Sequence, residues 1–158
     1  MKGKTNSKSG LTEYKRLMVN DEPLLAGITD VGYKFACAVY DQMDKIGIKP
    51  TYCKIMDFLY GIESSTQLKL VNSTELKAPT VSLVLREMEK KGLVVREKHN
   101  EDRRETYVSL TDKGRKLYQK HCNAVNQIQS KLMRGINESD REAVQRVLGI
   151  ISSSFEVI

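Results

Sequence analysis

Arg103 and Arg104 stand directly behind Glu101 and Asp102, in the run His99-Asn100-Glu101-Asp102-Arg103-Arg104. A guanidinium is planar, permanently charged and forked, which suits phosphates and base edges. A nearby carboxylate can hold it in one pose through a charge-assisted hydrogen bond. A simple reversing turn needs Asn and Gly, not arginine. On either side lie residues 93–98 and 105–110, short runs rich in Val, Tyr and Thr. The spacing predicts a β-hairpin with His99, Asp102, Arg103 and Arg104 at its tip. An arginine so placed can enter a narrow minor groove, where the negative potential is strongest.

A second set of polar side chains precedes the hairpin. Val81, Val84, Leu85 and Met88 follow i, i+3, i+4, i+7 spacing, which predicts a helix opening near Ala78 with these four inward. Pro79 falls in its first turn, where the missing N–H costs nothing. At 100° per residue the opposite face collects Pro79, Ser82, Leu83, Arg86 and Lys90, with Thr80 at its edge. A major groove accepts such a face. Arg86 can reach a guanine edge or a phosphate, Thr80 and Ser82 can reach either, and Leu83 can touch a thymine methyl. Ser65 and Thr66, at the start of the preceding helix, and Lys77, just ahead of this one, complete the candidate contacts. Taken alone, Arg86 and Lys90 with Glu87 and Glu89 also describe a solvated mixed-charge face. The arginine-tipped hairpin that follows favours a duplex partner.

The remaining elements must position these groups. Residues 1–10 read as a flexible basic tail. A helix is expected over residues 11–19 and a longer one over 24–45, with Ile28, Val31, Phe35, Val39 and Ile46 in one stripe and Gly47 and Pro50 as its stop. A short helix is expected over 51–60. The next is capped by Ser64 or Ser65 and turns Leu68 and Val71 inward, and Asn72-Ser73-Thr74-Glu75 reads as a turn. After the hairpin, Thr111 caps a long helix to about Arg134 with a stripe of Leu117, His121, Val125, Ile128 and Leu132. A last helix follows Asn137, with Val144, Val147, Leu148, Ile151 and Phe155 on one face. The predicted fold is mainly α with a small β-hairpin wing: a winged helix-turn-helix over 51–110, flanked by dimerisation helices over 11–50 and 111–158.

Bulk properties narrow the classes. The 158 residues suffice for one domain with a core, and no apolar run approaches membrane-spanning length. The lysine-rich start lacks the apolar segment of a secretory signal, so a cytoplasmic protein is expected. The net charge of +6 favours a polyanionic partner, though placement matters more than the sum. Three cysteines, with no CxxC, argue against a disulfide framework or zinc knuckle, and two histidines against a His-rich centre. His121 and Cys122 are neighbours, and neighbours on a helix diverge by about 100°. No phosphate-cradling glycine loop and no GxSxG occur, so no catalytic residue, metal or cofactor is expected.

The segments KAPTVSLVLREMEKKGLVVRE and EDRRETYVSLTDKG, with the weaker TQLKLVNSTEL before them, resemble the MarR family of bacterial winged-helix repressors. The shared features are Thr80-Val81-Ser82, Met88-Glu89-Lys90-Lys91-Gly92-Leu93, Asp102-x-Arg104 and Leu110-Thr111-Asp112-Lys113-Gly114. They span residues 65–116 in order. The resemblance implies a homodimer joined by its N- and C-terminal helices, with a recognition helix in each major groove. It makes Arg104 the wing arginine and Asp102 its orienting acid. The implied partner is double-stranded DNA bearing an inverted repeat, with half-sites about one helical turn apart. About 25 residues precede the first long helix, more than a minimal member needs; Lys2, Lys4, Lys8, Lys15 and Arg16 could add phosphate contacts.

The resemblance also implies regulation by a small ligand, here an aromatic or phenolic effector, in the cleft beside the dimerisation helices. Tyr33, Tyr40, Met43, Tyr52 and Met56 are the candidate lining, each with core packing as its plainer role. A thiol switch is the alternative signal. Cys37 lies between Tyr33 and Tyr40, and Cys53 sits in a first helical turn, where the helix dipole should lower its pKa. A winged-helix module for a protein partner is the alternative class.

Overall fold

The computed structural model describes residues 22–98 and 106–156. Pro23–Ile46 forms α1, which Glu22 opens by accepting the Leu25 N–H at 2.8 Å. Gly47 closes it at φ +76°, a left-handed conformation that glycine adopts without a Cβ penalty. Pro50 does more than mark an end: it opens α2, Pro50–Tyr60, in the first turn, where proline's fixed φ suits a helix start. The helix expected over 11–19 lies outside the described residues.

Three expectations need correction between α2 and the wing. Ser65–Thr66 is a short strand, β1, rather than part of a helix. The cap of α3, Gln67–Thr74, is Thr66, whose side chain accepts the Lys69 N–H. Neither Ser64 nor Ser65 caps it. Starting at Gln67 rotates the helix so that Leu70 and Thr74 face inward, while Leu68 is 68% exposed. Asn72, Ser73 and Thr74 remain helical, and the turn begins at Glu75, which takes φ +56° as C-cap. Only Glu75, Leu76 and Lys77 separate α3 from α4, Ala78–Lys90.

The sheet has three strands, not two. β2, Val94–Lys98, pairs antiparallel with β3, Thr106–Leu110, from Val94↔Leu110 to Lys98↔Thr106. The outer edge of β3 takes β1, with Ser65↔Val108 and Thr66↔Tyr107. The order β1-β3-β2 ties the start of α3 to the base of the wing. After β3 come α5, Asp112–Leu132, and α6, Glu138–Ser154. Asn137 caps α6 as expected, accepting the Asp140 N–H at 2.9 Å.

The chain divides into two units, Met1–Val125 and Asn126–Ile158. The first holds a core of Tyr52, Ile55, Met56 and Leu59 from α2, Leu70 from α3, the inner face of α4, and Val94, Val108 and Leu110 from the sheet. Met43, Ile48 and Tyr118 complete it. Along α5 the buried positions are Gly114 and Tyr118, one step off the expected stripe, with Leu117 and His121 half-buried beside them. In the second unit α6 buries nothing, and Val144, Val147, Leu148, Ile150 and Phe155 are exposed. Among the described residues no helix is long and apolar enough to cross a membrane.

Candidate nucleic-acid interface

The face of α4 follows from its packing. Val81, Val84, Leu85 and Met88 are all buried, so the helix cannot roll without exposing them. At about 1.5–3 kcal/mol per buried side chain, that constraint far outweighs anything the polar side could do. Pro79, Leu83, Arg86 and Lys90 are therefore held outward, with Thr80 and Ser82 half-exposed at the margin. Leu83 is 56% exposed on the same face. Lys77, the N-cap position, is exposed and makes no side-chain cap bond.

Two polar clamps that sequence reasoning missed fix the back of α4. Glu87 accepts from Lys49 Nζ at 2.5 Å and from Tyr52 Oη at 2.9 Å. The bonds from Lys49 and Tyr52 hold the Glu87 carboxyl below its usual range. Burial, then the Glu87 hydrogen bond, pushes the Tyr52 phenol up to about 12. Lys49 and Lys91 each approach the Tyr52 ring at 5.4 Å. Two residues on, Arg96 of β2 forks onto Glu89, with Nε at 2.9 Å and an Nη at 2.5 Å from the same oxygen. That pair joins β2 to α4. Glu87 and Glu89, read from sequence as part of a solvated face, are the anchors of these clamps.

The wing is also pinned at its exit. Thr111 N–H donates to the Leu93 carbonyl at 3.1 Å, and Thr111 Oγ1 donates to the Gly92 carbonyl at 2.7 Å. The same hydroxyl accepts the Gly114 N–H at 3.0 Å, which caps α5 as expected. Gly114 is needed for closeness: a Cβ there would lie 2.1 Å from the Leu93 carbonyl oxygen. The Leu-Thr-x-x-Gly exit is thus a knot that closes the hairpin onto α5.

The other sequence-predicted residues are placed as follows. Ser65 and Thr66 are only 3% and 7% exposed, held in the sheet, with Thr66 engaged as a cap. His99, Asp102, Arg103 and Arg104 lie outside the described residues. Met43, Tyr52 and Met56 belong to the core, while Tyr33 and Tyr40 are half-buried on α1. Cys37, Cys53 and Cys122 are all free and half-buried. For Cys53 the expected dipole effect is overturned: burial first, then the charges of Cys122 and Asp57, pushes its thiol up to about 12. Tyr118 donates to Asp57, and its ring lies 5.0 Å from that of Tyr60, tilted by 48°. His121 Nδ1 is buried without a hydrogen-bond partner among the described residues, and burial lowers its pKa. Among the described residues no group of three or more His, Cys, Asp or Glu is placed to hold a metal.

Comparison with known proteins agrees with this geometry. The family model for MarR matches residues 48–106. Residues 48–106 thus form a MarR-family winged-helix domain. It is 27% identical over 126 residues to the "uncharacterized HTH-type transcriptional regulator YdgJ" of Bacillus subtilis, covering 78% of this chain and 72% of YdgJ. It is 42% identical to YdcH of the same organism over 79 residues, about half of each protein. A Staphylococcus aureus MepR mutant bound to an oligodeoxyribonucleotide shares the fold, with a TM-score of 0.69 at 20% identity, covering 85% of this chain and 99% of that one. MarR-family proteins of this kind regulate transcription and are not enzymes. The match covers α2, β1, α3, α4 and β2 and ends at the first residue of β3.

Proposed function

We propose that this MarR-family regulator is a homodimeric, sequence-specific repressor that binds double-stranded DNA through an inverted-repeat operator. In this reading α4 enters the major groove, and Arg86 contacts a guanine edge while Thr80, Ser82, Leu83 and Lys90 follow the groove. Arg104, oriented by Asp102, enters the flanking minor groove beside His99 and Arg103. The observation that carries the reading is α4 itself: one face wholly buried, the other holding Arg86, Lys90 and an exposed Leu83. The clamps on Glu87 and Glu89 support it, because they fix helix and wing as one reading head.

Dimerisation is supported by two apolar faces. On α1, Leu24, Leu25, Ile28 and Val31 are exposed, and on α6 so are Val144, Val147, Leu148 and Ile150. Each is an apolar stripe on its own helix, the kind of exposed face that a partner helix covers. Release by a small aromatic or phenolic ligand is the signal we favour. Tyr33 and Tyr40 are the better candidates, since Met43, Tyr52 and Met56 are closed within the core. Thiol sensing at Cys53 is disfavoured, because a thiol raised to about 12 is not a nucleophile at neutral pH. Cytoplasmic residence accompanies this function.

The test is a gel shift on the DNA upstream of the protein's own coding sequence, across a salt series. Tight, selective binding with a dimer-sized footprint is expected. Arg104→Ala should weaken it strongly with the dimer intact. Arg86→Ala should cost base discrimination by roughly 1–3 kcal/mol. Binding that is weak, unselective and gone near physiological salt would instead favour a protein partner.

A further inference from the structure

Ser82 does not stand alone on the margin of α4. Gln67, the first residue of α3, donates from Nε2 to Ser82 Oγ at 2.6 Å, and both residues are half-buried. Both ends of this bond are anchored. Gln67 follows directly on Thr66, which is paired with Tyr107 in the sheet and caps α3. Ser82 follows Val81, which is fully buried.

A serine hydroxyl has one proton and two lone pairs. Gln67 fills a lone pair with an N–H that can only donate, so the Ser82 proton turns away from it. Among the described residues no acceptor takes that proton. The hydroxyl therefore faces outward as a donor, next to Leu83 and one turn before Arg86.

We propose that Gln67 is a positioning residue for base specificity, presetting Ser82 as a donor so that the pair selects a major-groove acceptor. Purine N7, guanine O6 and thymine O4 would be accepted at that position, and the cytosine N4 amino group would be rejected. This inference rests on the DNA-binding reading above. It makes a reversal expected. In Gln67→Glu the carboxylate has no proton to give, so it takes the Ser82 proton and leaves the lone pairs outward. Preference should then move to edges that donate, cytosine N4 or adenine N6. Gln67→Met keeps the bulk but frees the hydroxyl to rotate, which should abolish the preference without reversing it.

The experiment is selection from a randomised duplex pool with the full chain, run in parallel for wild type, Q67E, Q67M, S82A and the Q67E/S82A double variant. Circular dichroism confirms the fold of each. Wild type should show at least about a fivefold preference at one position, the low end of a single mismatch cost. Q67E should reverse it, Q67M and S82A should erase it, and the double variant should match S82A there. A purely structural role for Gln67 would weaken every sequence alike and reverse nothing. If wild type enriches an operator and Q67E keeps the same preference, the inference is overturned and DNA reading stands. If S82A keeps the preference, the inference is likewise overturned. If wild type enriches no sequence, the DNA reading fails and takes the inference with it.

Discussion

Gly114 is the residue at which substitution should be felt most directly. The atom a new Cβ would meet, 2.1 Å away, is a backbone carbonyl oxygen that cannot swing aside. Gly114→Ala should therefore destabilise the protein by about 3 kcal/mol, read as a lower denaturation midpoint in urea. An unchanged midpoint would mean that the wing base can shift without cost. His121 gives a pH signature. Burial lowers its pKa, so below its ordinary value of 6.5 the unfolded chain takes up a proton that the folded chain refuses. Stability should fall as pH falls through that range, and the loss levels off below the folded pKa. In His121→Gln, Tm should vary less between pH 7.5 and 5.5. A parallel slope in the variant would assign the pH dependence to another group. Glu87 and Glu89 act below this window: their pKa values are lowered, so their contribution is complete above 4.5 and is lost as pH falls from there through the lowered folded values. At this scale the sequence was partly legible. The arginines declared themselves by type, whereas Gln67, Lys49 and Tyr52 matter through partners 15, 38 and 35 residues away, which no local pattern reveals.

At the scale of elements, the Glu89–Arg96 bond predicts that wing and recognition helix can be uncoupled without unfolding either. The pair is part-exposed and screened by solvent, so its loss should barely change stability. Operator affinity should drop in Glu89→Gln while Tm barely moves, measured by gel shift and thermal melt on the same preparation. Equal loss of both would make the bond merely structural. The helices were readable because four buried residues on α4 repeat at helical spacing over two turns. The strand β1 was not, because two polar residues carry no alternation and their pairing with Val108 and Tyr107 is tertiary. The same short strand delayed the start of α3 and so turned Leu68 outward, a one-residue shift with a whole-face consequence.

For the whole molecule, the exposed apolar face of α6 is the surface assigned to the proposed dimer. Val147→Asp combined with Leu148→Asp should convert the dimer to monomer in sedimentation and abolish operator binding, while the winged helix stays folded by circular dichroism. A dimer that survives both charges would place the interface elsewhere. The flanking helices were legible as amphipathic segments, and their partner surface was not, since a helix with one apolar stripe looks the same whether the stripe meets its own core or another chain.

The knot at the base of the wing carries a further consequence, for change over generations rather than for binding. Leu93 and Thr111 are tied directly to each other, so the intervening chain is a loop whose ends are already held. Lengthening such a loop adds only the slow logarithmic cost of closure, about 0.6 kcal/mol for each doubling. Insertion of Gly-Ser after Glu101 should thus leave Tm nearly unaltered while shifting operator affinity and preference; a large fall in Tm would show that the tip itself supports the lobe. A hairpin fastened at its root can change its tip at little cost to stability, so in the proposed role DNA preference could change while the packing that presents it stays intact.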